Sequence, residues 1–583
     1  MKDLGRRVTW LLTVSMALFL ILIGRIVYLQ VVEAGVYLRL AQSNRTTIQE
    51  LKPPRGVIFD RYGVPLAVNR PSYVLHVVPA YFDRGRVEQL ASVVDFDRDT
   101  LETILTNHRE WNRPIPLKRR ITKEEAIILE ELSLPGVQVQ VVPVREYQDG
   151  EIFAHVLGYA RSQRIGGDLI GAREIEKRFD APLQGTKGGI RLEVDATGRI
   201  LGALDREDPI PGRNIHLTVD LGIQQAAYEA LKGNPGAIIV MDPRNGDILA
   251  MVSQPSLDNN QFITGFSPEA WEAVVEDPRH PLQNRAISGE YQPGSTIKPI
   301  IAIAALEEQV TSLNRIIDDN GIYEYRNAQG EIIGVYRGWK RGGHGKVNLV
   351  DALAESVNPY FYRLGIELGL ERITKYARMF GLGEPTGIDL PNEKPGLIPS
   401  RDWKLEVVGE PWYPGNTILL SIGQGYITVT PLQLLNAFNV IANGGTLYRP
   451  RIVKEITDDQ GRIIRRFEPQ LKHHIDVSAE TLDIIQQGLR AVVSRGTAKE
   501  INIPELPIAG KTGSAEVAMD ENANAWFVGY APADDPQVSV LVLVEAGQYG
   551  GQAAAPIAQQ LLATVFNLQP QQPPTSTQEA RRF

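Results

Sequence analysis

The spacing of apolar and polar positions divides the chain into regions of different character. Near the N-terminus, Lys2, Arg6 and Arg7 precede an apolar run over 8–23 whose only polar breaks are Thr9, Thr13 and Ser15, and the run resumes after Gly24 and Arg25 over 26–32. A spanning helix needs about 20 residues, so 8–29 suffices, with Arg25 snorkelling or facing a membrane partner. No small-x-small cleavage site follows, and residues 36–40 continue a helical pattern. An uncleaved anchor is therefore predicted over 8–32, rather than a cleaved signal peptide. The positive charges ahead of it place the tail, 1–7, inside the cell and the bulk of the chain outside, on a single pass through the cytoplasmic membrane.

Residues 33–213 read as a mixed α/β region. Val57, Ile58 and Phe59 lead into a Tyr62-Gly63 turn and a second apolar run, a hairpin pattern over 55–67. Helical spacing covers 86–94 and 123–132, strand-like residues follow over 137–144, and 174–201 reads as extended and turn-rich. No catalytic signature lies here, so a spacer or docking pedestal is predicted. A new unit opens near Asn214, with a helix over 222–231 and two strands, 237–240 and 248–252, around the hairpin turn Asn245-Gly246. Strands at 525–530 and 538–544 and a closing helix at 554–566 complete it. Strands at both ends with helices between predict an antiparallel sheet flanked by helices, over 214–568. The fold class is α/β of the α+β kind, and the Gln-, Pro-, Ser- and Thr-rich tail, 569–583, is predicted to be disordered.

Composition narrows the function. At 583 residues the chain exceeds one core, and 43% apolar and 22% charged residues are ordinary for a globular protein. The net charge of -8 comes without a long basic stretch, which argues against a nucleic-acid partner. There are no cysteines, so disulfides, thiolate metal sites and cysteine nucleophiles are excluded. The eight histidines are scattered apart from His473-His474 and form no H-E-x-x-H pattern, so no metal is predicted, and no cofactor is called for.

Three short motifs carry the candidate chemistry. Ser295-Thr296-Ile297-Lys298 follows Pro293-Gly294 and precedes Pro299 and an apolar helix. Residues three apart share a helix face, so the Lys298 amine can reach the Ser295 hydroxyl and activate it if its pKa is lowered. Alone, Ser-x-x-Lys arises about once by chance in a chain of this length and is as readily an ordinary helix start. Ser356-Val357-Asn358 puts a hydroxyl and an amide in a loop between helices, able to relay a proton and hold a carbonyl, or simply to cap and turn. A second such triplet, Ser312-Leu313-Asn314, reads as a cap or turn. Lys511-Thr512-Gly513-Ser514 suits a strand on which Lys511 offers a cation to a carboxylate and Gly513 admits a substrate backbone. The plainer reading of that strand is an edge guarded by a lysine.

In this order the motifs resemble those of penicillin-binding proteins and class A β-lactamases. Along nearly the whole chain the resemblance is to class B penicillin-binding proteins, carried also by 55–67, 155–159, 236–253, Asn284-Arg285-Ala286, Ile422-Gly423-Gln424-Gly425 and 525–530. Gly343-His344-Gly345 points to the elongation type rather than the septal one. The resemblance implies a peptidoglycan D,D-transpeptidase in which Ser295 is acylated by a D-Ala-D-Ala stem peptide and the acyl group passes to the amine of a neighbouring peptide. It implies Lys298 as general base, Ser356 and Asn358 as relay and positioning residues, and Lys511 and Thr512 as receivers of the substrate carboxylate. The N–H groups of Ser295 and Ser514 would form the oxyanion hole. β-Lactams and a RodA-like membrane glycan polymerase of the SEDS type are the implied inhibitor class and partner. The family often has threonine and glutamine at Ser514 and Glu516, and Glu516 adds a negative charge near an anionic substrate. The rival readings are a β-lactamase, a D,D-carboxypeptidase and a non-catalytic scaffold for the polymerase.

Overall fold

The central sheet is built from strands that are apolar on both faces. Gly236–Met241, Ile248–Gln254 and Val538–Val544 are buried at every position, and Asn524–Ala531 at all but its first. Such strands read as unbroken apolar runs because both faces are covered. The order across the sheet is Ile248–Gln254, Gly236–Met241, Val538–Val544, Asn524–Ala531 and Ala509–Ala515, antiparallel throughout. The predicted Asn245-Gly246 turn joins the first two strands in sequence, with Gly246 at φ +80°. Alternation sorts the side chains into two cores. Ile238, Val240, Phe527 and Val542 pack with the helices Leu221–Leu231 and Gly550–Val565, and Ile239, Met241, Trp526 and Leu543 pack with the helical bulk of the domain.

The computed structural model describes residues 2–33, 35, 46–111, 114–162, 168–194, 200–515 and 523–568. The continuation over 36–40, Glu516 and the tail from Gln569 lie outside the described residues. Two compact units result, one formed by Met1–Pro54 with Gln184–Gly212 and the other by Arg55–Leu183 with Arg213–Phe583. The smaller unit contains an exposed helix, Lys2–Val27, that continues as a π turn, Tyr28–Val32, and a three-stranded antiparallel sheet of Thr46–Leu51, Gly188–Val194 and Ile200–Glu207. Its apolar stretch, Arg6–Val32, is long enough to cross a membrane once.

Within the larger unit, the helix Lys298–Glu307 is buried from Lys298 through Ala305, as a helix apolar on all sides must be. Asn358–Met379 and Ala479–Ser494 pack against it. A second sheet contains the predicted hairpin, Ile58–Phe59 with Pro65–Val77, the latter paired further with Ile115–Ile121 and Val137–Tyr147. Asn214–Leu217 lies parallel to Ile58–Phe59 and antiparallel to Val453–Thr457, so strands from before and after residue 214 share one sheet. The predicted helix over 123–132 forms with those limits because Thr122 and Glu125 close a reciprocal capping box. The expectation of an extended stretch over 174–201 is corrected. Glu174–Arg178 and Asp180–Gln184 are short helices, the first with acids in its first turn and bases in its last, as the helix dipole favours, and the strand begins only at Gly188.

These short helices deliver Glu176 into a buried ion cluster. Its carboxylate accepts from Arg55 Nε at 2.6 Å and Arg145 Nε at 2.8 Å, and Arg55 also donates to Asp180 at 2.8 Å. Arg145 and Glu176 are wholly buried. Burial pushes the Glu176 carboxyl up, but the two guanidinium groups outweigh it and hold the pKa below the usual range. Removing one member of such a cluster strands the opposite charge. Glu176→Ala should therefore destabilise the larger unit by about 3–5 kcal/mol, read as a lower urea midpoint for the detergent-solubilised chain. An unchanged midpoint would mean that the cluster is dispensable.

Candidate active site

The Pro-Gly pair ahead of Ser295 makes a tight turn rather than a regular helix start. Gly294–Ile297 is a 3₁₀ turn, and the α-helix begins at Lys298 with Pro299 in its first turn, where a proline is tolerated. Ser295 thus lies in the 3₁₀ turn and Lys298 three residues on, at the first position of the α-helix. Gly294 takes φ +55°, and a Cβ there would lie 2.8 Å from the Ser514 carbonyl oxygen. Its N–H donates to the Gly423 carbonyl at 3.0 Å, and Gly423 itself leaves no room for a side chain against Gly294. The turn is thus wedged between the 422–425 loop and the edge strand. Tyr291 adds a two-way backbone bridge to Val429, at 2.9 and 2.8 Å.

Lys298 is fully buried, and three oxygens surround its amine. Nζ lies 2.9 Å from the Ser356 carbonyl, 3.1 Å from Ser356 Oγ and 2.6 Å from Asn358 Oδ1. Ser356 sits between the helices Leu349–Ala354 and Asn358–Met379 with φ +54°, a conformation that costs a non-glycine residue energy and here turns both of its oxygens toward the lysine. Burial, and next the nearby Lys511, drive the Lys298 pKa well below the ordinary lysine value. A neutral amine has two N–H donors and one lone pair. With the donors spent on the Ser356 carbonyl and Asn358 Oδ1, the lone pair is left for a hydroxyl proton.

The third motif lies on the edge strand Ala509–Ala515, paired with Asn524–Ala531. Lys511 is fully buried and donates to the Thr512 carbonyl at 3.0 Å, so it is not a solvent-facing edge guard. Burial pulls its pKa down to about 7, against the opposing pull of Glu355. The Thr512 and Thr497 hydroxyls are 2.7 Å apart, and Thr497 N–H donates to the Ala354 carbonyl at 3.1 Å, tying the edge strand to the loop that holds Ser356. One hydroxyl of the pair must donate to the other, which leaves one O–H for a ligand. A Cβ on Gly513 would lie 2.8 Å from Thr296 Cγ2, so this strand needs a glycine to lie beside the serine turn. Ser514 Oγ accepts from Gly550 N–H at 3.3 Å.

Lys298, Ser356, Asn358 and Lys511 thus meet in one buried group, Thr512 is tied to the Ser356 loop through Thr497, and Gly513 and the Ser514 backbone lie against the turn that carries Ser295. Ser312-Leu313-Asn314 stays in an exposed turn, as expected. Sequence reasoning missed Thr497 and Glu355. Neither lies in a recognisable pattern, though Glu355 is adjacent to Ser356. The chain's Arg285, quoted only for its resemblance, binds Glu545 at 2.8 Å, and Glu545 also accepts from Tyr291 OH at 2.7 Å. No group of three or more metal-ligating side chains occurs among the described residues.

A Ser-x-x-Lys turn, a Ser-x-Asn loop and a Lys-Thr-Gly edge strand, brought together in this order, are the motif set of the penicillin-recognising serine enzymes. The penicillin binding protein transpeptidase domain matches residues 236–563, and the penicillin-binding protein dimerisation domain matches residues 50–217. The chain belongs to the penicillin-binding protein transpeptidase family. It is 34% identical to the peptidoglycan D,D-transpeptidase MrdA of Acinetobacter baumannii over 94% of this chain and 85% of that protein. Among solved structures it is similar to penicillin-binding protein 2 of Helicobacter pylori in complex with MreC, at 27% identity and a TM-score of 0.74, covering 90% of this chain and 99% of that one. It is similar also to a chain of a peptidoglycan synthase complex that coordinates polymerization and crosslinking, at 30% identity and a TM-score of 0.72 over 97% and 99% of the two chains.

Lys511 gives a pH test of this geometry. The amine titrates at about 7 in the fold and near 10.5 when unperturbed. Between those values the unfolded chain holds a proton that the folded chain lacks. The cost of burying Lys511 is therefore full below pH 7 and fades as the pH rises toward 10, so stability rises across that window. The rise in urea midpoint from pH 7 to pH 10 should be smaller in Lys511→Met than in the wild type. Equal slopes would show that Lys511 keeps its proton throughout.

Proposed function

We propose that Ser295 is the acylated nucleophile of a peptidoglycan D,D-transpeptidase of the elongation type, with Lys298 as its base. The observation that carries this reading is the buried Lys298 amine, depressed in pKa and held by Ser356 and Asn358 one turn from Ser295. The neutral amine takes the Ser295 proton as the serine oxygen attacks the penultimate D-alanine carbonyl of a donor stem peptide. The N–H groups of Ser295 and Ser514 receive the oxyanion. Collapse expels the terminal D-alanine, whose amine regains a proton from Lys298 through Ser356, and the acyl group then passes to the amine of a neighbouring stem peptide. Lys511 and the Thr512 hydroxyl receive the donor carboxylate, and the arriving anion raises the Lys511 pKa again. The relatives named as D,D-transpeptidases support this reaction over hydrolysis.

The charges Lys2, Arg6 and Arg7 ahead of the apolar helix support an orientation with the catalytic unit outside the cytoplasmic membrane, where stem peptides are joined. The similarity to a chain of a complex coordinating polymerization and crosslinking supports a SEDS-type glycan polymerase as partner, with residues 33–213 as the pedestal and 214–568 as the transpeptidase domain.

Intact-protein mass spectrometry after exposure to benzylpenicillin should show one covalent adduct on the wild type and none on Ser295→Ala. Lys298→Met should slow acylation by about 10²–10⁴-fold, the usual worth of a general base. An adduct on Ser295→Ala would remove Ser295 from the chemistry. With a D-Ala-D-Ala stem peptide and a labelled amine, cross-linked product is expected, and exclusive release of free D-alanine would make the enzyme a carboxypeptidase.

A further inference from the structure

Gly343-His344-Gly345 takes no part in the acylation of Ser295, and it closes a loop of one-sided charge. Residues 337–346 include Arg337, Lys340, Arg341, His344 and Lys346 with no acid among them, in a chain whose net charge is -8. Arg337, Lys340, Arg341 and Lys346 are exposed. Among the described residues, none of these four side chains forms a hydrogen bond or an ion pair.

The loop is held from within. Gly343 takes φ +76°, and a Cβ there would lie 2.1 Å from the Asp319 carbonyl oxygen. The Asp319 carboxylate is itself buried and accepts from Gly321 N–H at 2.8 Å, from His344 N–H at 2.9 Å and from His344 Nδ1 at 2.7 Å. A basic segment kept for solubility needs no such support. Here the support sets the loop against the catalytic one. Trp339 Nε1 donates to the carbonyl of Glu355, one residue before Ser356, at 3.1 Å. A Cβ on Gly338 would lie 3.1 Å from Cδ of Pro359, one residue after Asn358. Trp339 nevertheless stays 58% exposed, its ring 5.3 Å from that of His344. The rim beside the Ser356 loop thus offers fixed positive charge and one open aromatic surface.

We infer that this loop is the acceptor subsite of the transpeptidase, and that it takes amines with a carboxylate close to the amine in preference to simple amines. The inference rests on the transpeptidase reading of Ser295. In that reading the donor carboxylate goes to Lys511 and Thr512 on the edge strand, whereas these cations stand on the wall made by the Ser356 loop. The second reactant is an amine. A simple alkylamine arrives as a cation and is repelled by the rim. An amino-acid-type acceptor arrives without net charge, its carboxylate drawn to Lys340 and Arg341 and its chain resting on the Trp339 ring. Once its ammonium has lost a proton to water, the free amine attacks the ester carbonyl. The C–N bond forms, the bond from that carbon to Ser295 Oγ breaks, and the proton shed by the amine passes through Lys298 to the serine oxygen.

The test is acyl transfer by the full-length, detergent-solubilised chain from a D-Ala-D-Ala stem peptide to labelled glycine or glycinamide, which differ in the carboxylate. Glycinamide is the weaker base and holds more free amine at neutral pH, so reactivity alone favours it. Glycine is expected to be the better acceptor nonetheless. Joint replacement of Lys340→Gln and Arg341→Gln should lower transfer to glycine by about tenfold or more, the worth of one charged hydrogen bond, without lowering transfer to glycinamide. Lys340→Arg with Arg341→Lys keeps both charges and should keep the preference. Benzylpenicillin acylation, which needs no acceptor, reports that each variant is folded. A wild type that prefers glycinamide, an equal loss with both acceptors, a raised donor KM with the preference intact, or a neutral pair indistinguishable from wild type would each overturn the assignment while leaving Ser295 acylation standing. Hydrolysis without transfer to any amine would overturn the transpeptidase reading, and this assignment with it.

Discussion

The burial of one amine organises the rest of the catalytic half. Lys298 opens a helix that is otherwise apolar, and its side chain ends where no water reaches it. A charged ammonium in that position carries a heavy desolvation cost, so the stable state is the neutral one. Neutrality alone does not satisfy the amine. Two oxygens of Ser356 and one of Asn358 must lie within hydrogen-bond reach, and this requires the 355–358 loop to turn through a left-handed serine and present two acceptors, the Ser356 carbonyl and Asn358 Oδ1, and one hydroxyl able to donate to the same nitrogen. The features that make the lysine affordable inside the fold are the ones that the proposed base requires.

Lys511 extends the same constraint to the sheet. The second buried amine discourages Lys298 from charging, burial alone pulls Lys511 down against Glu355, and each amine depends on oxygen acceptors from the backbone or from the Ser356 loop. The two lysines come from segments more than two hundred residues apart. Their meeting is secured by close backbone contacts, with Gly294 against Ser514, Gly423 against Gly294 and Thr497 against Ala354. Side chains at the first two places would prise the cleft open. The electrostatics of the site thus rest on packing at glycine positions as much as on the charged groups.

Local chemistry decides how much of this was legible beforehand. The Asn245-Gly246 hairpin, the capped helix at Lys123–Leu132 and the unbroken apolar strands announce themselves because turn type, capping box and two-sided burial each leave a mark within a few residues. The short helices at Glu174–Arg178 and Asp180–Gln184 do not, since five residues hold too little periodicity to register. The same limit governs the site. Ser295, Lys298, Ser356 and Lys511 are visible as motifs, but nothing local separates Ser356-Val357-Asn358 from Ser312-Leu313-Asn314. What separates them is that the first lies across from a buried amine and the second in an exposed turn. Thr497 and Glu355 act only through neighbours distant in sequence, and so leave no local trace.

The serine turn is held from several sides before any substrate arrives. Tyr291, four residues before Ser295, is bridged through its backbone to Val429 and through its hydroxyl to Glu545 at the end of a central strand, while Arg285 grips the same carboxylate. Gly294 is fixed by Gly423 on one flank and meets Ser514 on the other. A nucleophile on a mobile loop would have to lose conformational freedom in each cycle, and that loss would raise the barrier. Here the ordering is completed during folding, by interactions that neither form nor break in the reaction. Hydrogen-bond donors aimed at a developing oxyanion act most strongly when they need no rearrangement. In the proposed reaction the rigidity of this turn is therefore part of the chemistry, and the ion pair of Arg285 with Glu545 belongs to the machinery that maintains it.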